Sequence, residues 1–181
     1  MPEYEDAELI KRAQSGDARA FESLVESCYE VMFKMAYKWC GKKEEAEDIT
    51  QEACIRLARG LGSFRHECAF TSWLYRLVIN TAKDWGRAQA RRPAASEDDP
   101  GYINAASAEN AEDTLYAQQI WAQVSKLPDG EREALLLVMA QGLSHKETAN
   151  LLGVKESTIS WRIHEARKKL ESALGKEKAY G

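Results

Sequence analysis

The sequence predicts an all-α protein of two small helical domains, joined by a flexible acidic linker at residues 93–113. Apolar residues recur every three or four positions in both halves, and no stretch shows the period-two alternation that is typical of strands. The 181 residues include only 11 Gly and 4 Pro, as expected for long helices. The linker holds six acidic residues, no Lys or Arg and almost no large apolar side chain, so it cannot bury a core of its own.

The composition is that of a soluble globular protein, with 44% hydrophobic and 30% charged residues. The longest apolar run, Ala134–Ala140, is much shorter than the about 20 residues that cross a bilayer. The acidic residues 1–6 lack the basic and apolar parts of a secretory signal. We therefore expect a cytoplasmic protein without membrane insertion. The cysteines form no C-x-x-C pair and are expected to be small core residues: Cys28, Cys40, Cys54 and Cys68.

The first domain, residues 1–92, is predicted to contain four helices. They are expected at about 6–14, 17–40 and 44–61, with the fourth after residue 71. Asp17 is a favourable N-cap for the second helix, and Gly41 is a favourable residue to end it. The fourth helix is expected to begin after Thr71, with Phe70 and Tyr75 forming a hydrophobic staple around its cap.

The second domain, residues 114–181, is predicted to end in a helix-turn-helix. Two helices are expected first, at about 114–126 and 128–141. Ser144 and Glu147 then form a capping box that opens a short helix, which ends at Gly153. The last helix, 156–174, has one buried stripe: Ile159, Ile163, Ala166, Leu170 and Leu174. A short capped helix, a glycine turn and a longer amphipathic helix are typical of this motif.

Two segments of the chain suit nucleic acid, although its net charge is −4. Residues 59–92 hold seven basic residues against two acidic ones, and residues 155–169 hold five against two. On the fourth helix one polar face carries cations next to an aromatic ring, which suits unpaired bases: Trp73, Arg76, Asn80, Lys83 and Arg87. The preceding loop, 62–70, could receive an extruded base. Alternatively, Trp73, Tyr75 and Trp85 are core aromatics.

The last helix presents a face that could enter the major groove of duplex DNA. Opposite the buried stripe lie Ser157, Trp161, His164 and Lys168, with Glu165 beside them. Ser157 and Thr158 could contact a base or a phosphate. The cations are better suited to phosphates: Arg162, Arg167, Lys168 and Lys169. The alternative is a plain helical hairpin with a solvated charged face.

The third helix carries a different surface, with Ile55 standing among Asp48, Gln51, Glu52 and Arg59. An exposed isoleucine ringed by acids suits docking on a basic protein surface, although a solvated face with one stray apolar residue is the alternative.

The sequence carries none of the common motifs of enzyme chemistry. No phosphate-binding glycine loop, H-E-x-x-H or nucleophile elbow is found. We therefore expect no enzyme activity, cofactor or metal. A metal or redox site at His66 and Cys68 would lack ligand spacing.

The chain resembles the extracytoplasmic-function (group four) sigma factors of the sigma-70 family. Ala46–Ala53 (AEDITQEA) and Phe70–Ala82 (FTSWLYRLVINTA), together with Ala20–Val25 (AFESLV), look like conserved region two of that family. Leu127-Pro128-Asp129, Gly142-Leu143-Ser144 and Ser157–Arg167 are similar to region four. The D-x-x-Q-E and F-x-S/T-W-L-Y-R-x-x-x-N strings together are highly specific.

The resemblance implies a role in promoter opening, in partnership with core RNA polymerase and promoter DNA. The third helix would dock on the clamp helices of the largest polymerase subunit: Asp48, Gln51, Glu52 and Ile55. Minus-ten DNA would be captured and melted by Phe64, Arg65, Trp73, Arg76, Asn80, Lys83 and Arg87. Minus-thirty-five DNA would be read as duplex by Ser157, Thr158, Ser160, Trp161, Arg162, His164, Glu165 and Lys168. The family also implies contact with the flap of the second-largest subunit and control by an anti-sigma factor.

Several positions depart from the family pattern. Lys155 occupies the N-cap of the last helix, where many relatives have Ser or Thr. Many relatives carry Lys or Arg where this chain has Ser160. Many carry Ser where it has Trp161, and Arg where it has Glu165. Glu165 cannot pair with guanine as Arg does but can accept from cytosine N4. The promoter sequence that this chain recognises therefore cannot be inferred from those of better-known relatives.

The alternative function is a helix-turn-helix regulator with an N-terminal sensor. Such a regulator would bind duplex operators as a dimer without polymerase.

Overall fold

The computed structural model of the chain describes residues 6–91 and 111–175. Most of the described residues are helical and none lies in a strand, which confirms the all-α prediction. The helices are α1 (Ala7–Gln14), α2 (Ala18–Cys40), α3 (Lys43–Gly60), α4 (Phe70–Ala90), α5 (Ala111–Val124), α6 (Asp129–Leu135), α7 (His145–Leu152) and α8 (Glu156–Leu174). A short 3₁₀ turn, Leu61–Ser63, follows α3, and α6 continues as a π-helix over Leu136–Ala140.

The chain forms two compact units. The described residues of the first unit fall within Met1–Ala36 and Glu44–Pro93, and those of the second fall within Tyr37–Lys43 and Ala94–Gly181. Most of the linker predicted at 93–113 lies outside the described residues. Its last three positions, 111–113, form the start of α5, so this helix begins three residues earlier than the predicted Thr114.

The start of α2 follows the predicted capping. The Asp17 carboxylate accepts hydrogen bonds from the backbone N–H groups of Arg19 and Ala20, both at 3.1 Å. The Arg12 side chain also donates to Asp17, and this hydrogen bond is the largest cause that lowers the pKa of the Asp17 carboxyl. The helix ends at Gly41, whose φ of +77° is strained for any residue with a Cβ.

The start of α4 differs from the prediction. The helix begins at Phe70, and its N-cap, Ala69, makes no side-chain capping bond. Phe70 therefore lies inside the helix rather than before its cap, so the predicted staple with Tyr75 is wrong. The buried Phe70 ring packs 5.4 Å from the ring centroid of Phe64 and 5.7 Å from that of Trp73. Aromatic packing thus sets this boundary in place of side-chain capping.

The cysteines have different environments. Cys28 is buried, and desolvation raises the pKa of its thiol to about 12, so it is a protonated core residue as predicted. Cys40 and Cys54 are half-buried. Cys68 is exposed on the loop before α4, so the core prediction is wrong for this residue. The residues on either side of it, Glu67 and Ala69, are exposed as well, so this part of the loop does not enter the core.

The second unit contains the predicted helix-turn-helix, α7–α8. Ser144 Oγ accepts from the Glu147 N–H at 3.1 Å, and the Glu147 carboxylate accepts from the Ser144 N–H at 2.8 Å. The capping box is therefore confirmed. Gly153 ends α7 in the left-handed region with a φ of +65°. The stripe of α8 is buried at Ile159, Ile163 and Ala166 and half-buried at its last two positions.

Ser144→Ala is expected to lower the free energy of unfolding by about 1 kcal/mol, because it leaves an N–H at the start of α7 without its side-chain partner. The hydrogen bonds from Ser144 lower the pKa of the Glu147 carboxyl. Their stabilisation is present above the unfolded pKa and is lost as pH falls through the lower, folded pKa. The difference between wild type and variant should therefore shrink in acid. Urea unfolding at several pH values measures this, with the exposed Ser172→Ala as the control, expected within about 0.5 kcal/mol.

Candidate functional site

The predicted docking residues share one face of α3, because their spacing of three and four follows the helical period. Asp48, Gln51 and Ile55 are exposed, and 46% of the Ile55 surface is accessible to solvent. Glu52 is half-buried. The face therefore has an apolar centre with a polar and acidic rim, as the sequence predicts.

Glu52 is also part of an ionic network that joins α3 to α4. Its Oε1 accepts from Arg56 Nε at 3.0 Å, and Arg56 Nη1 donates to Asp84 Oδ2 at 2.7 Å. Asp84 Oδ1 in turn accepts from Arg87 Nη1 at 3.1 Å. The hydrogen bond to Asp84 is the main cause that raises the pKa of Arg56. Sequence analysis did not identify Arg56 or Asp84, because their pairing joins positions 28 residues apart.

The predicted minus-ten residues on α4 lie on one side of the helix. Arg76, Asn80 and Arg87 are exposed, whereas Lys83 and Trp73 are half-buried. This face lies beside the preceding loop, since the ring centroid of Trp73 is 5.5 Å from that of Phe64. The positive charge of Arg76 favours the thiolate of Cys68 in that loop. Desolvation and Glu67 act more strongly in the opposite direction, so the pKa of the Cys68 thiol is raised overall. A raised pKa does not suit a redox-active thiol.

Phe64 lies inside the first unit, with only 5% of its surface exposed. Its ring centroid lies 5.4 Å from that of Phe70, 5.5 Å from that of Trp73 and 4.6 Å from that of His66. Packed in this way, the Phe64 ring has little free surface to offer a base, and its role in base capture stays a prediction. Between the 3₁₀ turn and α4, the residues that face solvent are Arg65–Ala69. Trp73 is half-buried in the same cluster. Its ring therefore packs against core aromatics and is also partly accessible at the surface.

The outward face of α8 agrees with the helical wheel. Its exposed residues are Ser157, Ser160, Trp161, His164 and Lys168, with 59% of the Trp161 surface accessible. Thr158, Arg162 and Glu165 are half-buried at its edges. Ser160 Oγ lies 2.9 Å from His145 Nδ1, a contact between α7 and α8 that sequence analysis did not find.

Three basic residues of α8 contact other elements of the second unit. Lys169 Nζ pairs with the buried carboxylate of Glu131 at 2.6 Å, and Arg167 Nη2 lies 3.3 Å from Met139 Sδ. The Arg162 guanidinium lies against Gly130, where an added Cβ would come within 3.1 Å of it. Lys169 and Arg167 therefore each make one contact with α6 or the π-helix, while both residues stay exposed together with Lys168. Their predicted role as phosphate ligands stays a prediction.

An apolar groove lies in the second unit between α5, the π-helix and α8. Its cavity volume is about 180 Å³, and its walls include Trp121, Leu136 and Leu170. Met139 lies at the groove and is 55% exposed, and Arg167 provides a charge beside it. The sequence signal for this site is the apolar run Ala134–Ala140, which is longer than one buried face of a helix requires.

Two other classes of site receive no support from the described residues. No group of three or more His, Cys, Asp or Glu side chains in residues 6–91 and 111–175 could hold a metal ion. The metal alternative at His66 and Cys68 therefore has no ligand set in that part of the chain. None of the described helices combines the length and apolar character needed to span a bilayer.

Comparison with known families matches both halves of the chain. The model of Sigma-70 region 2 matches residues 24–92, and that of Sigma-70 region 4 matches residues 117–170. The RNA polymerase sigma-H factor of Pseudomonas aeruginosa is 34% identical over 96% of both chains. The ECF RNA polymerase sigma factor SigM of Mycobacterium tuberculosis is 34% identical over 96% of this chain and 86% of its own. The ECF RNA polymerase sigma-E factor of Escherichia coli is 32% identical over 93% of this chain and 94% of its own.

Solved structures share the fold. CnrH, in complex with the cytosolic domain of CnrY, superposes with a TM-score of 0.68 at 24% identity, covering 95% of this chain and 98% of CnrH. The sigma factor RpoE of Bartonella quintana, in complex with the anti-sigma factor NepR, gives a TM-score of 0.70 at 20% identity. That match covers 88% of this chain and 99% of RpoE.

Proposed function

Because this chain belongs to the sigma-70 family, within its extracytoplasmic-function group, we propose that it binds core RNA polymerase and directs transcription initiation at specific promoters. One observation carries the proposal: the same chain presents an exposed Arg76 and Asn80 face on α4 and a helix-turn-helix at α7–α8. The first suits unpaired DNA and the second suits duplex. A sensor role for the N-terminal half has no support, since that half matches region 2.

Docking on polymerase is assigned to the α3 face. An exposed Ile55 can bury apolar area against the clamp helices, while Asp48 and Gln51 at the rim meet basic and polar groups. Glu52 contributes with a weaker charge, because Arg56 already pairs with it. The docking energy is therefore expected to come from the apolar contact and from Asp48.

Melting at the minus-ten element is assigned to α4 and the loop before it. Extruding a base costs a few kcal/mol, and the binding of that base in the loop offsets the cost. The exposed Arg65–Ala69 segment receives the base, and the Asn80 amide offers both donors and an acceptor for its edge. Arg76 and Arg87 attract the phosphates of the displaced strand. The half-buried Trp73 supports the loop through the Phe64 ring.

Recognition of the minus-thirty-five element is assigned to the outward face of α8. Trp161 supplies a large apolar contact, which suits a thymine methyl group, and Glu165 can accept a hydrogen bond from cytosine N4. Ser157, Thr158 and Lys168 contact phosphates or base edges at either side. The helix thus reads paired DNA while the first unit holds unpaired DNA.

Two further protein partners are proposed beyond the clamp helices. The groove of the second unit suits one of them, and the shared fold supports the other. We assign the apolar groove beside Met139 to the flap of the second-largest polymerase subunit, because its walls suit an apolar helix. Control by an anti-sigma factor is supported by the shared fold with RpoE, which was solved with such a partner. An inhibitor that covered Ile55 would compete directly with polymerase.

Changing Glu165 to Gln is expected to shift the promoters that are used. A carboxylate accepts from cytosine N4, whereas the glutamine amide pairs with adenine, so a preference for cytosine at one upstream position should fall about tenfold. Trp161→Ala should weaken upstream recognition without a new preference. Run-off transcription on promoters randomised upstream measures both, and Glu171→Gln on the same helix serves as the control. Equal use of a pre-opened template by all variants is expected, and a loss there would contradict the assignment to duplex reading.

The proposed function is tested by run-off transcription with purified core polymerase on a library of random promoters. We expect enrichment of templates with two separated conserved elements, of which only the downstream one becomes reactive to permanganate. Initiation that is no different with and without the chain would contradict the proposal. Binding of duplex operators by the chain alone, at equal affinity with and without polymerase, would support a simple regulator instead.

A further inference from the structure

The loop that precedes α4 is held by a residue that lies about 50 positions earlier in the sequence, at the end of α1. The side chain of Gln14, the last residue of α1, donates through Nε2 to the backbone oxygen of Leu61 at 3.0 Å and to that of Phe64 at 2.8 Å. Its Oε1 lies 3.0 Å from His66 Nε2. Because an amide oxygen only accepts, this contact requires the proton on His66 Nε2.

This arrangement uses both donors of the Gln14 amide and one acceptor position of its oxygen, beside a backbone that is strained at His66. His66 has a φ of 58°, in the left-handed region that is unfavourable for residues with a Cβ. Such a conformation persists only where the surroundings hold it. The buried Phe64 ring and the Gln14 amide are the contacts that do so, and they leave the next residues of the loop turned to solvent.

We propose that Gln14 is a positioning residue for base capture, because it fixes the backbone from which Arg65–Ala69 face the DNA. The inference rests on the proposed function and adds to it a residue outside the segments that contact DNA. Its two parts are separable: the donors hold the carbonyl groups of Leu61 and Phe64, and the acceptor holds His66. The two bonds to backbone carbonyls restrain the loop itself, so the donors are expected to matter more.

Two variants separate the parts. Gln14→Glu keeps the acceptor for His66 and loses both donors, whereas Gln14→Lys keeps a donor for the carbonyl groups and loses the acceptor. Lys11→Met, at an exposed position of the same helix, is the control. Amide hydrogen exchange on the full chain should accelerate at residues 61–69 in Gln14→Glu and remain near wild type in Gln14→Lys.

The functional measurement is base discrimination with core polymerase on pre-opened templates that carry each of the four bases at the captured position. Gln14→Glu is expected to reduce the discrimination about tenfold, while Gln14→Lys and Lys11→Met retain it. A merely structural role would lower the thermal stability of Gln14→Glu without changing its discrimination, and that result would overturn the inference. So would equal losses in both Gln14 variants. If the wild-type chain directs initiation on none of these templates, the proposed function fails; if it discriminates between the bases and Gln14→Glu does so equally, only the inference fails.

Discussion

Replacing Asp48 and Gln51 together by Arg is expected to abolish binding to core RNA polymerase, with a loss of affinity of at least about hundredfold. Both side chains are exposed on α3, at the rim of the Ile55 face. Two added positive charges would oppose a basic docking surface and would leave unpaired charge in the contact. Because both positions face solvent, the helix should keep its stability. Fluorescence anisotropy of the labelled chain with purified core polymerase measures the affinity.

The control for this prediction is Glu22→Arg with Glu26→Gln, which adds the same formal charge at exposed positions of α2. This variant should bind polymerase within about threefold of wild type, since exposed charges away from a contact have small effects. Circular dichroism should show equal helix content in both variants. Retained binding in the α3 variant would refute the docking face, and equal loss in the control would indicate a general effect of charge.

The helices of this fold could be predicted from the sequence because their signals are local. Asp17 caps α2, the Ser144 and Glu147 pair opens α7, and Gly153 ends it, as periodicity and capping rules indicate. The polar faces of α3, α4 and α8 were also predictable, because side chains three and four positions apart share a face. Helix starts were predicted less well where packing decides them, as at Phe70.

Contacts distant in sequence could not be predicted, and they changed the interpretation of several residues. Nothing near Gln14 indicates that its amide bonds to backbone oxygens 47 and 50 positions away. Lys168 and Lys169 are equivalent in sequence, yet Lys169 pairs with Glu131 because the helix directs it towards α6. Phe64, which the family resemblance assigns to base capture, packs in the aromatic cluster with Phe70. Each outcome depends on which element packs beside the residue.

The ionic network between α3 and α4 connects the two proposed binding faces of the first unit. Glu52 belongs to the docking face, Arg87 belongs to the DNA face, and Arg56 and Asp84 link them through hydrogen bonds. Exposed ion pairs of this kind are each worth less than about 1 kcal/mol. The network can orient the two helices, but it is too weak to replace the direct contacts of either face.

Replacing Arg76 and Asn80 together by Ala is expected to reduce promoter opening about hundredfold while polymerase binding stays near wild type. Both residues are exposed on α4, and Arg76 lies close to the loop that carries Cys68. Arg76 supplies the charge for a phosphate of the displaced strand, and Asn80 supplies hydrogen bonds to an unpaired base. The loss should appear as reduced permanganate reactivity of the minus-ten element on a fully duplex promoter.

Salt dependence separates the two contributions, because only Arg76 releases a counterion when it binds a phosphate. Arg76→Ala should reduce the slope of log affinity against log salt by about 0.7 for a single-stranded minus-ten oligonucleotide in the polymerase complex, and Asn80→Ala should leave it unchanged. Arg19→Ala, which removes an exposed charge from α2, should change neither the slope nor the opening. Full opening by the double variant would contradict the assignment of unpaired DNA to α4. A pre-opened template that restored the double variant completely would instead limit these residues to strand separation and exclude them from holding the separated strand.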